Sequence, residues 1–107
     1  MSVTDVPSSP DPDVEVRDNP EDSRYELTLD GEVVGFSEYR DREGRRIFVH
    51  TIVDPAYGGR GLGNRLAKAA LDDALARDMP VVARCPFIRA WIERHPDYAE
   101  RLATPAP

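Results

Sequence analysis

With 107 residues, the chain has the length of one small domain, and its net charge of −6 argues against nucleic acid as the main ligand, because phosphate backbones require a basic surface. No apolar run approaches the roughly 18 residues of a membrane span, and the acidic, proline-rich start does not have the pattern of a secretion signal. The single cysteine can form no internal disulfide, so we expect a reducing, cytoplasmic location.

The start of the chain predicts a tail followed by an edge strand. Residues 1–13 combine proline, serine and aspartate with few apolar side chains, which is typical of a disordered tail. Residues 14–17 alternate between apolar and charged side chains, as a short strand does. We therefore expect a folded domain over residues 14–103, flanked by this tail and by a second tail at 104–107.

The next part of the chain predicts an antiparallel meander. Alternating apolar side chains on both sides of Asp30-Gly31 indicate a hairpin, because an Asp-Gly pair favours a two-residue turn. A second turn at 41–44 leads into the run 46–53, which is rich in β-branched and aromatic residues and apolar on both faces. Such a run favours a central strand. Residues 14–53 therefore predict three or four antiparallel strands.

A helix, a strand and two short helices are predicted after the meander. One helical stripe from about residue 61 to residue 77 carries Leu62, Leu66, Ala69, Ala70 and Leu75. A short buried strand is expected at 81–85, and a strand–helix–strand unit places its two strands parallel. The sequence thus predicts an α+β fold, with a meander leading into a βαβ unit, a mixed central sheet and two short C-terminal helices.

The glycine-rich turn between the predicted central strand and the predicted helix indicates a phosphate cradle. Glycines let the backbone approach an anion closely, and the free N–H groups of the first helical turn bind it. A P-loop is excluded, because no Lys-Ser/Thr pair follows the glycines. A dinucleotide-binding fingerprint is broken at Asn64, and the chain is too short for a doubly wound sheet.

Charge is unevenly spread in a way that suits an anionic ligand near this turn. Residues 1–32 hold ten acids and two bases, a net of −8, whereas residues 33–107 hold twelve bases and ten acids, a net of +2. The part of the chain with the turn is therefore locally basic. The same arginines can equally serve only to solvate a surface.

From about residue 25 to residue 102, the chain resembles the small, minimal GNAT-type (GCN5-related) N-acetyltransferases. The pyrophosphate loop of that family is usually R/Q-x-x-G-x-G/A, and Gly61 and Gly63 fill its last two positions. Its first position is Gly58 here, so we expect weaker cofactor binding that relies on backbone donors. The resemblance rests on four blocks in order, which are Gly31 to Phe36, Val49-His50-Thr51, Val53 to Gly63, and Arg84-Cys85-Pro86-Phe87 with His95-Pro96-Asp97-Tyr98.

The resemblance implies a three-layer α/β arrangement and an enzyme that uses acetyl-CoA as co-substrate, with direct attack by an amine. It implies that the pantetheine arm lies between splayed strands at 49–53 and 81–85, and that a backbone N–H near Ile52 and Val53 binds the acetyl oxygen. The residues expected to bind the cofactor are Ile52, Val53, Gly58, Gly59, Arg60, Gly61, Leu62, Gly63, Asn64 and Arg65.

The expected partner of the enzyme is an amine-bearing acceptor, either a small molecule or the lysine or N-terminus of a protein. We expect no nucleic acid, no membrane and no metal, because the two histidines do not have metal-site spacing. The expected oligomeric state is a monomer or a weak dimer, since an exposed first strand can pair with another chain.

His50 and Cys85 are the candidate catalytic side chains. His50 lies on the predicted central strand, and because histidine is the side chain most often used for proton transfer, it is either a proton relay or a sheet-face histidine that only hydrogen-bonds. Cys85 ends the second parallel strand at the mouth of the cleft. It either contacts the acetyl group, even as a thioester nucleophile, or is a small buried hydrophobe. Tyr57 and Tyr98 are weaker candidates for protonating the departing thiolate.

A second class of function stays open beside the acetyltransferase. The chain lacks the extra helices that wall off an acceptor site in larger GNAT enzymes, which favours a CoA- or acyl-CoA-binding module with little catalysis. Such a module would act as a sensor or an interaction domain. A pterin- or nucleotide-phosphate-binding protein is a third and more distant interpretation.

Overall fold

The computed structural model describes residues 14–57 and 61–102. The predicted tails and the first three residues of the glycine turn, 58–60, lie outside the described residues. None of the helices within the described ranges is long and apolar enough to span a membrane. The elements found there are β1 (Val14–Asn19), β2 (Arg24–Leu29), β3 (Glu32–Arg42), β4 (Arg45–Val53), a 3-10 turn (Pro55–Tyr57), α1 (Leu62–Ala76), β5 (Val81–Ala83), α2 (Pro86–Glu93) and α3 (Pro96–Leu102).

The described strands form one mixed sheet in the order β1-β2-β3-β4-β5. The first four strands pair antiparallel, and β5 pairs parallel to β4 across the α1 connection. The predicted meander is thus confirmed with four strands, and so is the βαβ unit that follows it.

Two tight turns set the register of the meander. Asp30 and Gly31 have φ values of 53° and 85°, and Glu43 and Gly44 have 54° and 77°. Positive φ at both central positions is the backbone of a type I′ hairpin, whose twist matches that of the flanking strands. The second turn is shorter than the predicted 41–44, because Arg42 and Arg45 already pair as strand residues.

Helix α1 packs its apolar stripe against the sheet. Its buried residues are Leu62, Leu66, Ala67, Ala70, Leu71 and Ala74, which follow the helical spacing of three and four residues. Ala69 and Leu75, which the predicted stripe included, are only half-buried. Ala69 and Leu75 lie at the margin of the apolar stripe, next in sequence to buried residues that face the sheet.

All three described helices lie on the same face of the sheet, so the described part of the chain has two layers and not the three that the resemblance implies. One continuous core joins Leu66 of α1 to Trp91 of α2 and Leu102 of α3. On the opposite face, which we call the helix-free face, the Arg24 guanidinium lies 4.8 Å from the centre of the Phe36 ring. This open face also leaves the edge strand β5 half-buried, whereas the sequence predicted a buried strand.

Candidate active site

Strands β4 and β5 separate just beyond Phe48. They pair only from Arg46 opposite Val81 to Phe48 opposite Ala83. The N–H groups of Arg84 and Cys85 both donate to the Phe48 carbonyl oxygen, at 3.0 and 2.8 Å. The chain then turns into α2, while β4 continues through residues 49–53. One edge of this segment therefore has no strand partner in the part of the chain that the structure describes.

A β-bulge at Val49 determines which backbone groups point to this open edge. The pairing of β4 with β3 shifts there, since His50 lies opposite Glu38 but Phe48 lies opposite Tyr39. Beyond the bulge, the Asp54 N–H donates to the Val34 carbonyl oxygen at 2.8 Å. Backbone groups of successive strand residues point to alternate edges. The N–H of Val53 therefore points to the open edge.

Ile52 is directed elsewhere. Its carbonyl oxygen lies against Gly35 of β3, where an added Cβ on Gly35 would come within 2.9 Å of it. Its side chain is 44% exposed on the helix-free face. The sequence predicts the donor for the acetyl oxygen at Ile52 or Val53, and of these two only the Val53 N–H points to the open edge. By the same alternation, the Thr51 N–H also points to the open edge.

The N-terminus of α1 presents unpaired backbone donors. Gly61 is the N-cap residue with φ 73° and ψ 13°, and the Arg65 N–H donates to the Gly61 carbonyl oxygen at 3.2 Å. The N–H groups of Leu62, Gly63 and Asn64 precede the first intrahelical bond and so have no partner inside the helix. The first turn contains no acidic residue, so the positive end of the helix dipole is not neutralised there.

The side chains of this first turn serve packing, which leaves its backbone for a ligand. Leu62 is buried in the core, and Asn64 Oδ1 accepts a hydrogen bond from Trp91 Nε1 at 2.6 Å. A Cβ at Gly63 would approach Phe87 Cζ to 2.9 Å, so the glycine allows α2 to come close to α1. The backbone donors expected from Gly58, Gly59 and Arg60 lie outside the described residues and stay a prediction, as does the role of Arg65.

Cys85 lies at the splay and begins a chain of hydrogen bonds into the core. Its side chain is buried, and its thiol donates to Thr51 Oγ1 at 3.3 Å. Thr51 Oγ1 lies 2.9 Å from the hydroxyl of the fully buried Ser37. Thr51 and Ser37 are not among the site residues predicted from the sequence. The strand register places them opposite each other, but only the fold brings Cys85 to them.

His50 lies on the other face of the sheet from Cys85. Its side chain is exposed, and its ring centre is 6.2 Å from that of Phe36 on the helix-free face. Successive residues of a strand point to opposite faces, so His50 and its neighbour Thr51 are separated by the sheet. The two candidate catalytic side chains therefore flank the splay from opposite sides and do not contact each other.

Tyr98 belongs to a structural cluster at α1. Its hydroxyl donates to Asp72 Oδ1 at 2.6 Å, and this hydrogen bond, together with burial, raises the pKa of the phenol. The phenolic proton is thus engaged in a hydrogen bond to Asp72 on α1. Tyr98 is therefore poorly placed to protonate a departing thiolate. Tyr57 is partly buried against the core.

His95 also has a structural environment. Its ring stacks on Trp91 with centroids 3.7 Å apart, and its Nδ1 lies 2.7 Å from the Trp91 carbonyl oxygen. Trp91 is a core residue. Among the described residues, no group of three or more His, Cys, Asp or Glu side chains is arranged to hold a metal ion.

Two solved structures share this fold. A GCN5-like protein from Staphylococcus aureus, solved in solution by NMR, aligns with a TM-score of 0.63 and 21% identity over 81% of this chain and 85% of that one. The ribosomal-protein-alanine N-acetyltransferase from Brucella melitensis biovar Abortus 2308 aligns with a TM-score of 0.51 and 24% identity, over 78% and 62% of the two chains. At these identities the likeness shows the fold alone.

Sequence comparisons give the family. Protein NATD1 from Mus musculus is 41% identical over 63 residues, which is 55% of this chain and 57% of that protein. NATD1 from Homo sapiens is also 41% identical over 63 residues, covering 55% and 56%. The chain therefore matches little more than half the length of these curated relatives. The profile of the GCN5-related N-acetyl-transferase family matches residues 24–102, and the chain belongs to that family.

Proposed function

We propose that this protein transfers an acetyl group from acetyl-CoA to an amine by direct attack of the amine on the thioester. One observation carries the proposal: the open edge of β4 beyond Phe48 leads from the bulge at Val49 toward the N-terminus of α1. A strand edge with free donors that ends beside a positive helix terminus suits a ligand with an amide-containing arm and a pyrophosphate. Family membership supports acetyl transfer in general.

In this proposal the cofactor lies along β4. The pyrophosphate accepts hydrogen bonds from the first-turn N–H groups of α1, and the pantetheine arm follows the open edge from Val53 back to the bulge. Four residues of extended strand span about 13 Å, which is comparable with the length of that arm. The acetyl end would then lie beside Thr51 and Cys85, whose side chains are joined by a hydrogen bond.

Acetyl transfer removes one proton from the amine and delivers one to the departing thiolate. The neutral amine attacks the acetyl carbon, the carbon–sulfur bond breaks, and the CoA thiolate leaves and takes a proton from solvent. The oxygen of the tetrahedral intermediate accepts a hydrogen bond from the Thr51 N–H group, whereas the Val53 N–H group, about 7 Å away along the same edge, faces the pantetheine arm. His50, exposed on the helix-free face, takes the proton that the attacking amine loses. Cys85 contacts the acetyl group from the helix side of the sheet, and the amine approaches from the helix-free face.

A thiol-release assay with a panel of amines and peptides tests the proposal. We expect turnover with acetyl-CoA that falls by about 10²-fold or more in His50→Ala, together with loss of the decline in rate at low pH. Cofactor affinity should be unchanged, because His50 lies on the face away from Cys85. A pH–rate profile of His50→Ala that matches the unmodified protein would remove the proton-relay role, and Cys85→Ala with unchanged turnover and unchanged CoA affinity would remove that of Cys85.

A CoA- or acyl-CoA-binding module with little catalysis is the second candidate. The helix-free face favours it, because no described helix encloses an acceptor above the splay. Binding of acetyl-CoA without turnover on any acceptor would support this candidate. For either function we propose a cytoplasmic location, given the single free cysteine. We also propose a monomer or weak dimer, with β1, the edge strand of the described sheet, as the contact.

A further inference from the structure

A cleft with basic walls opens on the helix-free face beside the splay. We call it the basic cleft, and it has a volume of about 400 Å³. Strand pairing places Arg40 opposite Ile47, and Ile47 opposite Val82. Because side chains alternate along a strand, Arg84 points to the same face as Val82. The residues that line the basic cleft are Arg40, Arg42, Ile47, Val49 and Arg84.

The three arginines of the basic cleft have no acidic partner within the described ranges. Arg40, Arg42 and Arg84 are all exposed, and none of them takes part in an ion pair there. By contrast, Arg24, Arg46, Lys68 and Arg77 each pair with an acidic side chain. The chain holds 20 acids against 14 Lys and Arg residues, so partners are plentiful. These three arginines contribute positive charge to this part of the surface.

The acid that separates Arg40 from Arg42 in the sequence pairs with a different arginine. Asp41, between Arg40 and Arg42 in sequence, accepts two hydrogen bonds from the Arg46 guanidinium at 2.8 Å each. Arg46 is almost fully buried and lies on the core side of the sheet, with its guanidinium 3.9 Å from the Tyr39 ring centre. Asp41 therefore pairs with a core arginine and not with the two arginines beside it, and the acid that shares their face of β3 is Glu38, two residues before Arg40.

The basic cleft and Cys85 meet at the same opening from opposite faces. Arg84 precedes Cys85, and their N–H groups share the Phe48 carbonyl oxygen. On the helix side the opening is closed by α2, where Ile88 and Trp91 are buried. An acceptor therefore reaches an acetyl group at the splay from the helix-free face, where it meets the three arginines first.

We propose that the acceptor is an acidic peptide, with carboxylates close in sequence to the amine that is acetylated. This rests on the proposed function of the same site. Arginine binds carboxylates through two parallel hydrogen bonds, which fixes orientation as well as adding affinity. Ile47 and Val49 form the apolar floor for the aliphatic parts of the peptide.

The spacing of the arginines suits an extended peptide. Arg40 and Arg42 are two residues apart on one strand, a separation of about 7 Å, and β3 and β5 are about 10 Å apart across β4. Carboxylates two or three residues apart in an extended chain have the same spacing. The structure thus selects against basic peptides and polyamines, whose charge repels all three side chains.

The test compares three labelled nine-residue peptides that each contain one central lysine, flanked by glutamate, by glutamine or by arginine. Binding is followed by fluorescence anisotropy in the presence of CoA. We expect the glutamate peptide to bind about tenfold more tightly than the glutamine peptide, with an advantage that shrinks as salt is added. Arg40→Glu and Arg84→Glu should each remove most of this advantage. Arg94→Glu, which makes the same charge change at the end of α2 on the helix side, should keep it.

Equal binding of the glutamate and glutamine peptides would overturn the inference, as would a loss of affinity in Arg94→Glu as large as in Arg84→Glu. Displacement of the glutamate peptide by a single-stranded oligonucleotide of higher affinity would assign the basic cleft to nucleic acid and overturn it too. Thiol release separates the two proposals. Tight binding of the glutamate peptide without release of CoA thiol from acetyl-CoA supports peptide docking in the basic cleft and contradicts the transferase activity. Equal thiol release with all three peptides supports the transferase activity and contradicts the preference for acidic peptides.

Discussion

Gly63 is a residue where the sequence motif and the structure give different reasons for the same glycine. The resemblance assigns it to a pyrophosphate loop, where a small residue lets the backbone approach an anion. In the fold, its missing side chain also makes room for Phe87, which a Cβ would approach to 2.9 Å. Gly61 is different, because its φ of 73° is the reason for glycine there and the space around it is open.

We therefore expect Gly63→Ala to destabilise the protein only slightly, by up to about 1 kcal/mol, since the Phe87 ring must move but is 37% exposed and can do so. The control makes the same Gly63→Ala change in a protein that already carries Phe87→Ala. The clash is absent there, so the change at position 63 should instead stabilise the helix by up to about 1 kcal/mol. Urea unfolding of the four proteins measures this coupling. A destabilisation of the same size in both backgrounds would show that Phe87 is not the reason for the glycine.

At the scale of elements, a polar network joins the meander to α1 beneath the sheet. The Tyr39 hydroxyl on β3 donates to Asp18 Oδ1 on β1 at 2.6 Å, and the Tyr25 hydroxyl on β2 donates to Asp73 Oδ2 on α1 at 2.6 Å. The Arg46 guanidinium on β4 donates to the Tyr25 hydroxyl. Burial and the hydrogen bond to Asp18 raise the pKa of Tyr39 to about 12.

This network predicts a loss of stability in alkali. Tyr39 stays protonated in the fold up to about pH 12, whereas in the unfolded chain it ionises near its ordinary value of 10.0. Its contribution is therefore complete below pH 10 and is lost as the pH rises from about 10 through about 12. We expect the free energy of unfolding of Tyr39→Phe to fall less steeply over that range than that of the unmodified protein. Identical slopes would contradict the assignment.

Most elements follow from local sequence, and their positions were predicted within a few residues. Asp30-Gly31 predicts its hairpin because the turn needs positive φ at both positions, and Pro86 predicts a helix start because proline suits the first turn. The bulge at Val49 was not predicted. It arises from the pairing of two strands, and no residue at that position requires it.

At the scale of the whole molecule, placing every described helix on one face creates two different surfaces at one opening. In the proposed function, the cofactor lies on the side of Cys85, Thr51 and the α1 terminus, and the acceptor approaches on the side of His50 and the basic cleft. The sequence predicts the glycine turn and the parallel pair that meet there. It cannot predict which side chains share a face, because that depends on the bulge and on where β5 leaves the sheet.

We propose that acetyl-CoA binds along the open edge of β4 and at the N-terminus of α1. Titration of the isotope-labelled protein with acetyl-CoA, followed by amide chemical shifts, tests this binding most directly. We predict shifts at Gly61, Gly63 and Asn64, and at Thr51, Val53 and Cys85, with none in the β1–β2 hairpin and none on adding ATP at the same concentration. Unchanged amides at these positions, or the same shifts with ATP, would contradict the claim.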